Sequence, residues 1–322
     1  MQLFRVRGIP VRIDVGWVLI VGFIAWNLAS GYFPQVLPSL STTAYWVQGL
    51  VAALLLFASV LLHELAHALV ALRHGIPVGG ITLHIFGGVS QLDSEPETPR
   101  AELLIAIVGP LMSFALAGLA HALGRVLGGA PWAEALAGYL AVVNLVVGVF
   151  NLVPAFPLDG GRVLRAALWA WNGRLDSATR VASRVGSALA LLMIAVGLSR
   201  ALSGDVTAGL WFALIGLFLH QAARASYAMV RVRTRLHGIT VADVMNTAPA
   251  VLDRVGSTSG HGDEVVSPRD PAWQAFLKMA RNGRGRVAVR EQGVLVGVVS
   301  QRDLHDVVND DERHARVTSR AA

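Results

Sequence analysis

The segment His63-Glu64-Leu-Ala-His67 has the residue types and the spacing of a metal site. On a helix, His63 and His67 lie one turn apart on one face, so that both imidazoles reach the same metal ion. Glu64 lies beside that face, where its carboxylate is placed to take a proton from a water molecule. The pattern therefore predicts a metal site with a general base next to it.

The helix that must carry these residues is apolar enough to cross a membrane. No charged residue lies between residues 47 and 63. On insertion scales, a charged group in the middle of a bilayer costs about 2.5–3.5 kcal/mol, so a function is its default explanation. We therefore expect hydrolytic metal chemistry inside a membrane rather than in a soluble domain.

The composition of the whole chain agrees with a membrane protein. Of its 322 residues, 54% are hydrophobic and only 15% are charged, whereas soluble domains carry about 25% charged residues. Cysteine is absent, so zinc would have to be held by nitrogen and oxygen. The net charge of +6 comes from arginines at the ends of apolar segments. This distribution sets membrane topology and does not favour nucleic acid as a partner.

Six apolar segments have about the length of ~20 residues that is needed to cross the hydrocarbon. The arginine-rich loops all lie on one side of this arrangement, which predicts a multi-pass protein of the inner or plasma membrane with both termini cytoplasmic. The fold class is thus an α-helical polytopic membrane protein with six transmembrane helices. The predicted spans are 16–34, 47–72, 102–124, 135–153, 185–202 and 207–223.

A third metal ligand is expected where the fourth span ends. Pro154 and Pro157 break the helix just before Asp159, at the same cytoplasmic depth as the two histidines. Two histidines, one carboxylate and an open position form a catalytic zinc set. An alternative is that Asp159 and the two glycines after it form an ordinary turn.

The loop between spans 2 and 3 differs from the helices around it. Residues 78–92 combine β-branched residues with paired glycines, which predicts a short β-hairpin at the membrane surface. An exposed edge strand could bind an extended peptide at Gly87 and Gly88, or the hairpin could be purely structural. By contrast, residues 109–113 are expected to shape helix packing, and Asn144 to tie neighbouring helices together.

Together these motifs resemble the site-2 protease family of zinc intramembrane metalloproteases (peptidase M50). The resemblance covers residues 1–225 and includes the motif of residues 150–164, Phe-Asn-Leu-Val-Pro-Ala-Phe-Pro-Leu-Asp-Gly-Gly-Arg-Val-Leu. It implies one Zn²⁺ per chain and single-span membrane proteins as substrates. The implied roles are zinc binding by His63, His67 and Asp159, general base catalysis by Glu64, and binding of substrate or oxyanion by Asn151.

The C-terminal part resembles a single CBS domain, a small cytoplasmic α+β unit over residues 239–309, joined by a linker at 226–238. The resemblance implies that Ser300 and Asp303 contact an adenine nucleotide. CBS units work in pairs, so a homodimer through this domain is expected. Residues 310–322 are charged, lack an apolar pattern and are predicted to be disordered.

One rival function uses the same ligands. A CBS-regulated metal transporter would carry the ion across the membrane and would need polar groups that continue to the far side. The outer halves of spans 2 and 4 are almost wholly apolar. The sequence therefore favours proteolysis over transport.

Overall fold

The structure is a computed structural model that describes residues 1–84, 87–92, 94–247, 265–283 and 285–309. It divides into two compact units, the first ending at Arg224 and the second beginning at Ala225. The predicted disorder of residues 310–322 lies outside the described residues.

The first unit is built mainly from helices, and the prediction of six membrane-spanning segments is confirmed. Among the described residues, six helical stretches are long and apolar enough to cross a membrane. The first covers Val15–Val36 and includes a π-helical segment at Leu28–Tyr32. The helices are α1 (Val15–Asn27), α2 (Phe33–Val36), α3 (Thr42–Arg73), α4 (Pro99–Val126), α5 (Pro131–Asn151), α6 (Asp159–Asn172), α7 (Leu175–Leu202) and α8 (Val206–Arg235).

Side-chain caps fix where several of these helices begin. The side chain of Asp14 accepts from Trp17 N at 3.0 Å, and Ser41 and Thr98 cap α3 and α4 in the same way. Such caps satisfy amide groups that have no partner in the first turn. The short helix α6 ends at Gly173, whose φ of +70° is a left-handed conformation that glycine adopts without strain.

A four-stranded sheet packs against the half of α3 that carries the histidines. The predicted hairpin is present as its last two strands, and a second hairpin at the N-terminus adds the other two. Ile9 and Ile81 of the sheet pack with Ala68 of α3 in one buried cluster. The strands are β1 (Gln2–Val6), β2 (Ile9–Ile13), β3 (Val78–His84) and β4 (Gly87–Leu92), paired in the order β1-β2-β3-β4. Within the described residues, β4 is therefore an edge strand.

A buried ion pair connects α4 to α6. Arg165 Nε donates to Glu102 Oε1 at 2.6 Å, and Arg165 Nη2 pairs with the same oxygen. Glu102 is 0% exposed and Arg165 is 5% exposed. The Arg165 guanidinium also lies over the ring of Phe156, 5.3 Å from its centroid. The pair thus fixes the orientation of α6, whose first residue is Asp159.

Replacing Glu102 with glutamine is expected to lower the free energy of unfolding by about 3–5 kcal/mol, because the guanidinium of Arg165 would lose its buried charged partner and keep only the more distant carboxylate of Glu95, at 3.8 Å. Unfolding in detergent micelles measures this change. The exposed i,i+4 pair Arg180–Asp176 provides the control, since Asp176→Asn should cost at most about 1 kcal/mol. Equal effects of the two substitutions would contradict the proposed importance of the buried pair.

In the described part of the second unit, three strands form a sheet in chain order, Val265–Val266, Arg286–Glu291 and Val294–Ser300, with helices packed on it. Its core includes Leu236, Ile239 and Val299. The segment 226–238, interpreted as a linker, is helical as far as Arg235, because α8 continues beyond its apolar part. The elements are α9 (Val241–Val244), β5 (Val265–Val266), α10 (Ala272–Asn282), β6 (Arg286–Glu291), β7 (Val294–Ser300) and α11 (Gln301–Asn309).

Candidate metal centre and active site

Three predicted metal ligands converge on one point inside the first unit. His63 Nε2 and His67 Nε2 lie 3.1 Å and 3.2 Å from Asp159 Oδ2, and 3.2 Å from each other. Both histidines are only 4% exposed. The structure therefore brings Asp159 of α6 to His63 and His67 of α3, although more than ninety positions separate Asp159 from either histidine along the chain.

This triangle of donor atoms fits zinc. Ligand atoms about 2.0–2.1 Å from a tetrahedral zinc ion lie about 3.3 Å from one another, close to the three observed separations. Two imidazoles and one carboxylate are also a donor set typical of catalytic zinc. Burial alone would raise the pKa of the Asp159 carboxyl, but the neighbouring imidazoles of His63 and His67 outweigh burial and lower it. The carboxylate is thus held in the charged form that binds a cation.

Helix α4 orients both imidazoles through hydrogen bonds to their Nδ1 atoms. His67 Nδ1 donates to the backbone oxygen of Ile105 at 2.5 Å, and His63 Nδ1 hydrogen-bonds Ser113 Oγ at 2.9 Å. Hydrogen bonds of this kind fix the ring and direct the other nitrogen to the metal. From the sequence, Ser113 was expected only to shape helix packing and Ile105 had no predicted role, because neither has a spacing relation to the histidines.

Gly109 of α4 provides the space in which the ligands meet. A Cβ atom at this position would lie 2.1 Å from His67 Nε2 and 2.6 Å from His63 Nε2. The expectation that residues 109–113 shape helix packing is therefore incomplete, since Gly109 and Ser113 line the candidate metal site. The sequence signal for this role was Gly109 followed by Pro110 inside a membrane helix, where a small residue permits a close approach.

The helix break before Asp159 is built from close backbone packing. A Cβ at Gly160 would lie 2.3 Å from the carbonyl oxygens of Leu152 and Val153, and one at Gly161 would lie 2.4 Å from Phe156 N. The two glycines let the loop 152–158 fold tightly against the first turn of α6. The turn interpretation and the ligand interpretation are compatible, because the tight turn places the carboxylate at the site.

Glu64 lies between α3 and the edge strand. Its Oε2 accepts hydrogen bonds from Ser90 N at 3.1 Å and from Ser90 Oγ at 2.9 Å. Gly88 lies against the side chain, since a Cβ there would be 2.5 Å from Glu64 Cγ. Gly87 has a φ of +123°, and a Cβ at this position would meet no atom within 4 Å. The hairpin thus contacts the predicted base directly, a contact for which the sequence contains no spacing signal.

The two asparagines of α5 lie in different settings. Asn144 is buried and its Nδ2 donates to Ser59 Oγ of α3 at 3.2 Å, which confirms that it connects neighbouring helices. Asn151 is the last residue of α5 and is partly exposed, at the start of the loop that leads to Asp159. A role in substrate binding is compatible with this position but stays a prediction.

In the second unit, the two residues predicted to contact a nucleotide, Ser300 and Asp303, are hydrogen-bonded to each other. Asp303 Oδ2 accepts from Ser300 N at 2.9 Å and from Ser300 Oγ at 2.6 Å, at the beginning of α11. Thr240 and Asp243 form the same arrangement at α9. Both pairs stabilise helix starts, and nucleotide binding by Ser300 and Asp303 stays a prediction.

Comparison with known proteins agrees with this geometry. The family model described as "Peptidase family M50" matches residues 51–138 and 130–193, and the CBS domain model matches residues 241–310. Two relatives carry names that class them as zinc metalloproteases. Rip3 of Mycobacterium tuberculosis is 36% identical over 96% of this chain and 93% of its own. Zinc metalloprotease MJ0392 of Methanocaldococcus jannaschii is 31% identical over 95% of this chain and 79% of its own.

Among solved structures, the site-2 protease from Methanocaldococcus jannaschii is 32% identical, with a TM-score of 0.48, over 70% of this chain and 94% of that chain. The relatives cover nearly the whole sequence, and the family match includes the segment that holds both histidines. The chain therefore belongs to peptidase family M50 and is a multi-pass membrane zinc metallopeptidase with a C-terminal CBS domain.

Proposed function

We propose that this peptidase hydrolyses peptide bonds within or near the transmembrane segments of single-span membrane proteins. The observation that carries the proposal is that the site is built on a helix of membrane-spanning length and hydrophobicity. Two of its proposed ligands and Glu64 belong to α3, a helix long and apolar enough to cross a membrane, and the histidines are buried. A substrate would meet the site most directly from within the bilayer.

In this proposal, His63, His67 and Asp159 hold zinc, which when bound polarises a carbonyl group and acidifies water. Glu64 takes the proton from the attacking water and returns it to the leaving amide nitrogen. Asn151, at the end of α5, would hold the substrate or stabilise the developing oxyanion. Ser113 and the Ile105 carbonyl keep the imidazoles in place during this cycle.

The substrate must become extended before it can be cut. A helix engages its carbonyl groups in its own hydrogen bonds, whereas an extended chain can pair with an edge strand. Strand β4 offers such an edge, and Gly88 brings its backbone against Glu64. We therefore assign substrate binding to the part of β4 that contains Gly87 and Gly88, through main-chain pairing along its free edge.

Positive charge supports a cytoplasmic site. Arginines precede the first span and follow the last, and others lie in the loops at the Asp159 end of α5. By the positive-inside rule these loops are cytoplasmic, as are both termini. The CBS domain would then lie in the cytoplasm, where pairing with the domain of a second subunit and adenine nucleotide binding could regulate cleavage.

Reconstitution in lipid vesicles tests this function. The purified chain is incorporated with a tagged single-span protein, and the fragments and zinc flux are followed together. We expect fragments cut within or near the transmembrane segment, with no zinc flux above that of empty vesicles. Zinc flux without cleavage would favour the alternative of a CBS-regulated metal transporter.

A further inference from the structure

Ser90 is the residue through which the edge strand holds the proposed base. Both its backbone N–H and its hydroxyl donate to Glu64 Oε2, at 3.1 Å and 2.9 Å. The hydroxyl oxygen also lies 3.1 Å from the backbone oxygen of Glu64. Two donors of one residue therefore converge on one carboxylate oxygen.

The strand places Ser90 and Gly88 on the same side. Side chains alternate along a strand, so residues 88 and 90 face α3 together. Gly88 lacks a side chain, and the stem of Glu64 occupies that space, with Cγ 2.5 Å from where a Cβ would stand. Gly88 thus admits the side chain of Glu64, and Ser90 binds its end.

The direction of the Ser90 amide also locates the free edge of β4. In an antiparallel pair, successive residues direct their N–H groups to opposite edges. The N–H of Ser90 is directed at Glu64, so this edge of β4 runs beside the base. A peptide that pairs there would lie next to the Glu64 carboxylate.

A glutamate side chain loses considerable rotamer freedom when it is fixed in one position. Hydrogen bonds to a charged group are strong enough to hold it. We propose that Ser90 is a positioning residue that orients the Glu64 carboxylate for proton transfer and links it to the strand that binds substrate. This inference rests on the proposed role of Glu64 as the base.

The test compares Ser90→Ala and Ser90→Thr with the wild type, with Glu64→Gln as the inactive reference and Thr82→Ala of β3 as the control. Cleavage of a single-span substrate gives kcat and KM, and zinc content and thermal unfolding are measured on the same preparations. We expect kcat of Ser90→Ala to fall about tenfold to a hundredfold, with KM, zinc content and Tm unchanged. Ser90→Thr, which keeps a hydroxyl, should recover most of kcat, and Thr82→Ala should match the wild type.

Unchanged kcat in Ser90→Ala, while Glu64→Gln is inactive, would overturn this inference and leave the proposed function intact. Loss of zinc or a lowered Tm in Ser90→Ala would assign Ser90 a structural role and overturn it as well. Equal cleavage by Glu64→Gln and the wild type is a different pattern. It would overturn the proposed function of Glu64 and this inference with it.

Discussion

Replacing Glu64 with glutamine is expected to reduce peptide cleavage by about 10²–10⁴-fold, the usual contribution of a general acid–base group. Glutamine has nearly the same shape, and its amide oxygen can still accept the hydrogen bonds from Ser90. It cannot accept a proton from water at neutral pH. The variant should therefore fold, bind zinc as the wild type does and fail only in the chemical step.

This result is checked by measuring cleavage of a single-span substrate and zinc content on the same purified samples. Glu134→Gln is the matched control, because Glu134 is exposed in the first turn of α5. It should retain the activity of the wild type. A Glu64→Gln variant that keeps both zinc and full activity would exclude Glu64 as the base.

The second large effect is expected from a single methyl group at Gly109. In Gly109→Ala the new Cβ would lie 2.1 Å from His67 Nε2 and 2.5 Å from His67 Cε1. Neither the helix backbone of α4 nor the two imidazoles can give way without moving the metal-binding nitrogens. We expect this variant to lose zinc binding, and cleavage should be abolished with it.

Gly118 offers a control on the same helix. A Cβ at this position meets no atom within 4 Å, so Gly118→Ala should keep zinc and activity. Zinc titration of the two variants, together with their thermal unfolding, distinguishes loss of zinc binding in a folded protein from loss of the fold. If Gly109→Ala bound zinc with wild-type affinity, the claim that a Cβ at position 109 displaces the histidines would be wrong.

Much of the metal site could be predicted from local sequence. His63 and His67 are related by one helical turn, and the proline break marks Asp159, so each signal lies within a few residues. The structure adds what local patterns do not contain. Ser113 and Ser90 reach the site from other elements, and only the fold brings them to His63 and Glu64.

For the fold, too, local sequence patterns predicted some elements and missed others. Long apolar segments predicted the six spans, because burial in a bilayer requires length and hydrophobicity that are visible in the sequence. The N-terminal hairpin was not predicted. Its strands β1 and β2 have only five residues each, and β2 pairs with β3, which is distant in the chain. The pairing of β2 with β3 is non-local and leaves little local signal, whereas the hairpin itself turns locally at Arg7 and Gly8, both with positive φ.

Removal and restoration of zinc most directly test the central claim that His63, His67 and Asp159 hold a catalytic zinc ion. The purified chain is stripped with a chelator and titrated with zinc while cleavage of a single-span substrate is followed. We predict that cleavage disappears with the metal and returns in full at about one zinc ion per chain. Magnesium, which prefers oxygen ligands, should not restore it. Full cleavage by the zinc-free protein would contradict the account.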